Sequence, residues 1–108
     1  QGGYYGNALQ AASLEGNLAV VELLLANKAD VNAQGGEYGN ALQAASFEGN
    51  LVVVELLLAN KADVNAQGGE YGNALQAASY KGNQGVVELL LQNGANINAQ
   101  GGPMEMHH

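Results

Sequence analysis

Cysteine is absent from the chain, which excludes disulfides and thiolate metal sites and fits a cytoplasmic protein, the location expected here. Positive charge is scarce: three lysines and no arginine stand against ten acidic residues, for a formal charge of −7. Phosphate backbones and anionic membrane surfaces are bound by clustered Lys or Arg, so neither nucleic acid nor a membrane is an expected partner. A basic or polar protein surface suits the charge better, although acidity also serves solubility alone. Long apolar runs are missing too. Leu51-Val52-Val53-Val54 is stopped at once by Glu55, far short of the roughly 20 residues that cross a bilayer. Histidine occurs only at His107 and His108, at the end of a tail, 101–108, that reads as vector sequence entering a polyhistidine tag and is set apart from the fold. No signal peptide is visible, and the chain opens on Gln1 rather than Met, as expected of a segment of a longer protein.

What is present is repetition. Tyr38-Gly39-Asn40-Ala41-Leu42-Gln43-Ala44-Ala45-Ser46 recurs from Tyr5 and from Tyr71, each copy 33 residues after the last. Residues 2–34, 35–67 and 68–100 are three copies of one unit, so residues 1–100 form a single array. A fixed period of this length marks units that bury their apolar faces on one another instead of on a central core.

Each unit reads as turn, helix, loop, helix, loop. In the middle copy, Gly35-Gly36-Glu37-Tyr38-Gly39 supplies a glycine-rich turn, Asn40 an N-cap, and Ala41 to Phe47 a short helix rich in alanine. Gly49-Asn50 ends it. A second helix from about Leu51 to Asn60 is too apolar to pack on one side only, with Glu55 marking its wet face. Asn60-Lys61 closes that helix with a residue tolerant of left-handed backbone, Asn60, and a cation near the negative pole. Gly94 takes the place of Lys61 in the third copy and is the better C-terminal residue. Helices shorter than about 12 residues are marginal alone, so stability must come from the interfaces between units.

These residues resemble the ankyrin repeat. Gly49-Asn50 stands where the family usually has Gly-His, Val53-Val54-Glu55-Leu56-Leu57-Leu58 matches its second helix, and Ala62-Asp63-Val64-Asn65-Ala66 matches its loop. The family's Thr-Pro-Leu-His is here Asn40-Ala41-Leu42-Gln43, and its turn carries Gly35 and Tyr38 in unusual places. The resemblance implies an all-α solenoid of three helix-loop-helix-turn units and a non-enzymatic, protein-binding role. The wording Gly-Gly-Glu-Tyr-Gly-Asn-Ala-Leu-Gln-Ala-Ala is similar, more narrowly, to the ankyrin arrays of fungal NOD-like receptors. A consensus-style design is the competing origin.

The copies separate scaffold from variable surface. The first and second differ at three positions, Tyr4/Glu37, Leu14/Phe47 and Ala19/Val52. The third differs from the second at eight, among them Phe47/Tyr80, Glu48/Lys81, Leu51/Gln84 and Val52/Gly85. The resemblance implies recognition through turn tips and first helices. The candidate partner-binding residues are therefore Tyr4, Glu37 and Glu70 at the tips, and Leu14, Phe47, Tyr80, Glu15, Glu48 and Lys81 at the ends of the first helices. Aromatic side chains beside charges make a binding strip. In the competing reading, Leu14, Phe47 and Tyr80 shield the array's own alanine-rich helices. Tyr5, Tyr38 and Tyr71 read as a separate structural ladder. Asn32, Asn65 and Asn98, with Gln34, Gln67 and Gln100, are expected to tie turn to turn.

Catalysis has nothing to draw on. The carboxylates recur at repeat-related surface positions, Ser13, Ser46 and Ser79 lack a base, and no Lys-Ser/Thr follows the glycine-rich turn. No cofactor or metal is expected. Two partners remain: a protein of unspecified identity, or a second copy of the chain meeting it head to tail, since near-identical units have complementary ends. Gln84, Gly85 and Gln92 are expected to make one end more polar.

Overall fold

The computed structural model describes residues 7–99. The tip residue Tyr4, the first ladder tyrosine Tyr5, Gln100 and the tail lie outside them. Among the described residues there are six helices in three pairs: α1 (Ala8–Glu15), α2 (Leu18–Ala26), α3 (Ala41–Glu48), α4 (Leu51–Ala59), α5 (Ala74–Lys81) and α6 (Gln84–Gln92). No strand occurs among these residues, only an isolated bridge between Gly35 and Gly39. The all-α, stacked helix-pair architecture is the one anticipated.

Local chemistry repeats with the sequence. Asn7, Asn40 and Asn73 sit in extended backbone, and each side chain accepts the amide N–H of the glutamine three residues on. Gly16, Gly49 and Gly82 close the first helices in left-handed backbone, each donating its N–H to carbonyls of the last turn. At the second helices one expectation is corrected. Asn27 and Asn60 keep negative φ, and the left-handed residues are Lys28 (φ 72°) and Lys61 (φ 73°), where the third unit has Gly94. Each asparagine instead turns its side-chain amide back on a carbonyl one turn earlier, as Asn60 does on Leu56 (2.9 Å).

The core is a continuous seam rather than a centre. Leu9, Val21, Leu42, Val54, Leu57, Ala78, Val86 and Leu90 belong to one buried cluster running through all three units. The second helix is less enclosed than its composition suggests. Val53, Val54 and Leu57 are buried, but Leu51 and Val52 are exposed even in the central repeat, Val52 by 55%.

Polar ties lock the units together. Gln43 Nε2 donates to the Gly68 and Gly72 carbonyls (2.8 and 3.0 Å); Gln10 Nε2 makes the equivalent of the second bond to Gly39 (3.1 Å) and a different one to Ala33 (3.2 Å). Asn50 reaches back to the carbonyls of Ser13 and Leu14, and Asn83 to those of Ser46 and Phe47. Asn32 and Asn65 tie loop to loop as expected. Asn32 donates to the Lys61 carbonyl (3.2 Å) and accepts from the Asp63 amide (2.7 Å). Gln34 and Gln67 do not share this work; they are exposed and take no part in the described hydrogen bonds. The glutamines that tie turn to turn are those of the first helices.

Candidate recognition surface

The first helices pack much more closely on one another than the second helices do, so the array curves toward α1, α3 and α5. The physical reason is side-chain size. Ala41, Ala44 and Ala45 are fully buried between neighbouring first helices, where a larger side chain would hold the backbones apart.

The turns are packed equally tightly. Gly35 and Gly39 pair across each turn (Gly35 N–H to the Gly39 carbonyl, 2.8 Å), and the Glu70 amide donates to the Glu37 carbonyl of the turn before it (2.7 Å). Gly69 has φ 68°, and a Cβ on it would stand 2.5 Å from the Gly39 amide nitrogen. Only glycine fits there, which accounts for the unusual turn sequence.

On this scaffold the two tyrosine and aromatic rows, which look separate in the sequence, interleave into one ladder. Tyr38 stacks on Tyr71 (5.9 Å between centroids, 17° between planes) and tilts against Phe47 (5.4 Å). Phe47 in turn meets Tyr71 (4.6 Å) and Tyr80 (6.3 Å), and Tyr71 meets Tyr80 (5.7 Å). Each such pair contributes about 0.5–1.5 kcal/mol beyond its buried area. Tyr38, which is buried, and Tyr71, which is half-buried, are the ladder residues that sequence reasoning assigned to a separate row. The signal available was their fixed spacing of nine residues from Phe47 and Tyr80 in successive copies.

The candidate residues grade from core to surface along the ladder. Leu14 is buried against Tyr38 and Ala44, so it does what the shielding reading described. Phe47 is half-buried. Tyr80 is 63% exposed and forms the accessible end. Lys81 is exposed and holds its ammonium 4.7 Å from the centre of the Phe47 ring, a cation–π contact that pins a flexible side chain. Glu15, Glu48 and Glu70 are exposed, and Glu37 is half-buried. Among the described residues of this strip, Lys81 is the one cation among carboxylates.

Among the described residues no cluster of His, Cys, Asp or Glu could hold a metal ion. The hydroxyls of Ser13 and Ser46 are buried and without a hydrogen-bond partner, shut away from any substrate. No described helix is long and apolar enough to cross a membrane.

The model of the family described as ankyrin repeats in three copies matches residues 8–101. No curated protein matches the chain. Ankyrin repeats are generally protein–protein interaction modules and are typically non-enzymatic. With its period, paired helices and tight turns matched over most of its length, the chain belongs to the ankyrin-repeat family.

Proposed function

We propose that the array binds a protein partner along its concave strip, with Tyr80 as the anchor and Phe47, Tyr71 and Lys81 as the platform that holds it. The observation that carries this is the ladder itself. Tyr80 projects into solvent while its ring rests against Phe47 and Tyr71, so the group most able to bury apolar area on a partner is already ordered. An ordered aromatic loses little entropy on binding, which is what makes a hot spot effective. Glu48 and Glu70 are exposed and adjoin Phe47 and Tyr71 in the chain, so the partner fitted to this strip presents an apolar pocket rimmed by Lys or Arg. The narrower origin, as the sensor part of a fungal NOD-like receptor, is supported by the wording of the turn and first helix alone.

The test compares single variants against a captured partner. Tyr80→Ala removes the anchor without touching the core and is expected to weaken binding at least tenfold, the effect of losing a hot spot of about 2 kcal/mol. Val52→Ser changes an exposed apolar residue of the second-helix row and is expected to leave affinity unchanged. Equal affinity for the Tyr80 variant and the parent chain contradicts the assignment.

A further inference from the structure

The outward face of the second helices carries apolar side chains that packing inside the array does not require. Leu51 and Val52 are 41% and 55% exposed although the middle unit has a neighbour on either side. Repeats touch only their neighbours along the stack, so further units at either end would leave both residues equally open. Gln84, Gly85 and Gln92 replace Leu51, Val52 and Ala59, all exposed in the middle unit. These replacements therefore alter the outer surface and not an end face, which corrects the expectation drawn from them.

Between the first two units this surface sinks into a shallow hollow of about 320 Å³, lined by Gly16, Leu18, Gly49, Asn50, Leu51 and Val52. Its parts are fixed by the backbone. Gly16 and Gly49 hold left-handed geometry (φ 73° and 76°), and a Cβ on Gly16 would stand 3.1 Å from Asn50 Oδ1. Asn50 is pinned in turn, its Nδ2 donating to the Ser13 and Leu14 carbonyls (2.9 and 3.0 Å). Two glycines, a tethered asparagine and three aliphatic side chains thus hold the hollow open at an internal junction.

The surroundings are acidic. Glu15 and Glu48 adjoin Gly16 and Gly49 in the chain, and Glu22 and Glu55 stand one turn from Leu18 and Leu51 on the same helix face. All four are exposed. The two lysines of these units, Lys28 and Lys61, follow the far ends of α2 and α4, about 13 Å along helices of nine residues. Lys81 of the third unit turns its ammonium onto the Phe47 ring.

The third unit keeps the fold of the second but not this surface. Lys81, Gln84 and Gly85 stand for Glu48, Leu51 and Val52, three of its eight differences. The helix starts in the same way, Asn83 (φ −83°, ψ 80°) matching Asn50 (φ −81°, ψ 80°). Gln84 Nε2 donates to the carboxylate of Glu88, the counterpart of Glu55 (3.2 Å). Gly85 costs about 1 kcal/mol of helix stability relative to alanine. A Cβ on it would meet nothing within 4 Å. Internal packing therefore explains neither the aliphatic wall of one copy nor its loss from the next.

We propose that the hollow between the first two units docks a basic protein segment, which inserts one aliphatic side chain between flanking lysines or arginines. The volume lies at the low end of the range of ligand pockets, about 300–1,000 Å³, and suits a single side chain. That side chain buries itself against Leu18, Leu51 and Val52 while its neighbours meet the four carboxylates. A second copy of the chain is a poor occupant, since it brings ten acidic residues and three lysines to an acidic surface. This ligand is separate from the partner of the concave strip, and neither reading depends on the other.

The experiment is amide NMR on the isotopically labelled full chain, titrated at low salt with the peptide Lys-Lys-Leu-Lys-Lys. Shifts are expected at Gly16, Gly49, Asn50 and Val52, with Gly82, Asn83 and Gly85 unmoved. Lys-Lys-Ser-Lys-Lys keeps the charge and should bind roughly tenfold more weakly, having no aliphatic group to bury. Equal binding of the two peptides, or no shift with either, would overturn the proposal. So would the same shifts on concentrating the chain alone, which would make a second copy the occupant. Leu51→Gln with Val52→Gly installs the residues that the third unit carries in the same helix, and should abolish the shifts. Should that variant lose helix content by circular dichroism, the converse exchange decides. Lys81→Glu, Gln84→Leu and Gly85→Val together build the same wall between the second and third units, and should raise the stoichiometry from one peptide to two. A rebuilt wall that binds no second peptide would overturn the proposal.

Discussion

Val20 and Val53 are the same residue at the same place in successive units, one at an end of the array and one inside it, so truncating each isolates the contribution of an interface. Removing two methyl groups from a fully buried valine forfeits about 1.6 kcal/mol of transfer free energy, and the cavity left behind adds about 0.5–1 kcal/mol. Alanine returns about 0.5 kcal/mol through its helix preference. Val53, 2% exposed, is therefore expected to lose about 2 kcal/mol on Val53→Ala. At Val20, 44% exposed, the transfer loss falls to about 0.9 kcal/mol, water fills the space, and the helix preference is the same. Val20→Ala is then expected to cost about 0.5 kcal/mol or less. Urea unfolding followed by circular dichroism reads both. The Val53 variant should also unfold over a broader range, since its weakened junction lets the units uncouple. Equal shifts of the two midpoints would refute the view that stability resides between the units.

Two further substitutions test the local structure. Lys61→Gly replaces a left-handed lysine by the residue that the third unit carries at φ 92°. It should raise stability by about 1 kcal/mol, the left-handed penalty of an L residue less the backbone entropy of glycine, read as a higher urea midpoint. The Asn32 bond to the Lys61 carbonyl should survive it, as Asn65 keeps its bond to the Gly94 carbonyl (3.1 Å). Gln43→Met keeps the side-chain volume but removes both bonds to the next turn, and should cost about 1–2 kcal/mol, the loss being offset in part by removal of a buried oxygen that has no partner. Gln10→Met should cost less in the same assay, because its bonds are longer; the reverse order would show that these glutamines act by packing alone.

The period, the helix pairs and the asparagine caps were legible because each is written in local chemistry. A repeated Asn before an alanine-rich run can do little else than cap it. The burial pattern of the second helix was not. Leu51 and Val52 are as apolar as Val53 and Val54, and only the placement of the neighbouring units decides which pair is covered. The left-handed position was legible only in the third unit, through Gly94; in the other two Asn60 is the better residue for it by preference, while the hydrogen bonds from the Asn60 amide to the Leu56 and Leu57 carbonyls shift the turn to Lys61. Gln43 and Gln67 are equally polar in the sequence, and their different roles follow from position. One projects from a buried helix toward the next turn, the other from a loop into water. The recognition strip was half legible: the variable row at the ends of the first helices could be read from the differences between copies. That Tyr38 and Tyr71 join it depends on the narrow space left by Ala44, which is a property of packing and not of any one repeat.

The claim that matters most for function is that the partner meets the concave strip. The direct measurement is amide hydrogen exchange on the chain, free and saturated with that partner. The turns around Glu37 and Glu70 and the ends of α3 and α5 near Phe47 and Tyr80 should become protected, while the exposed face of α4 around Leu51 and Val52 should exchange as before. Protection confined to α2, α4 and α6, with Tyr80 and its neighbours unchanged, would contradict the account.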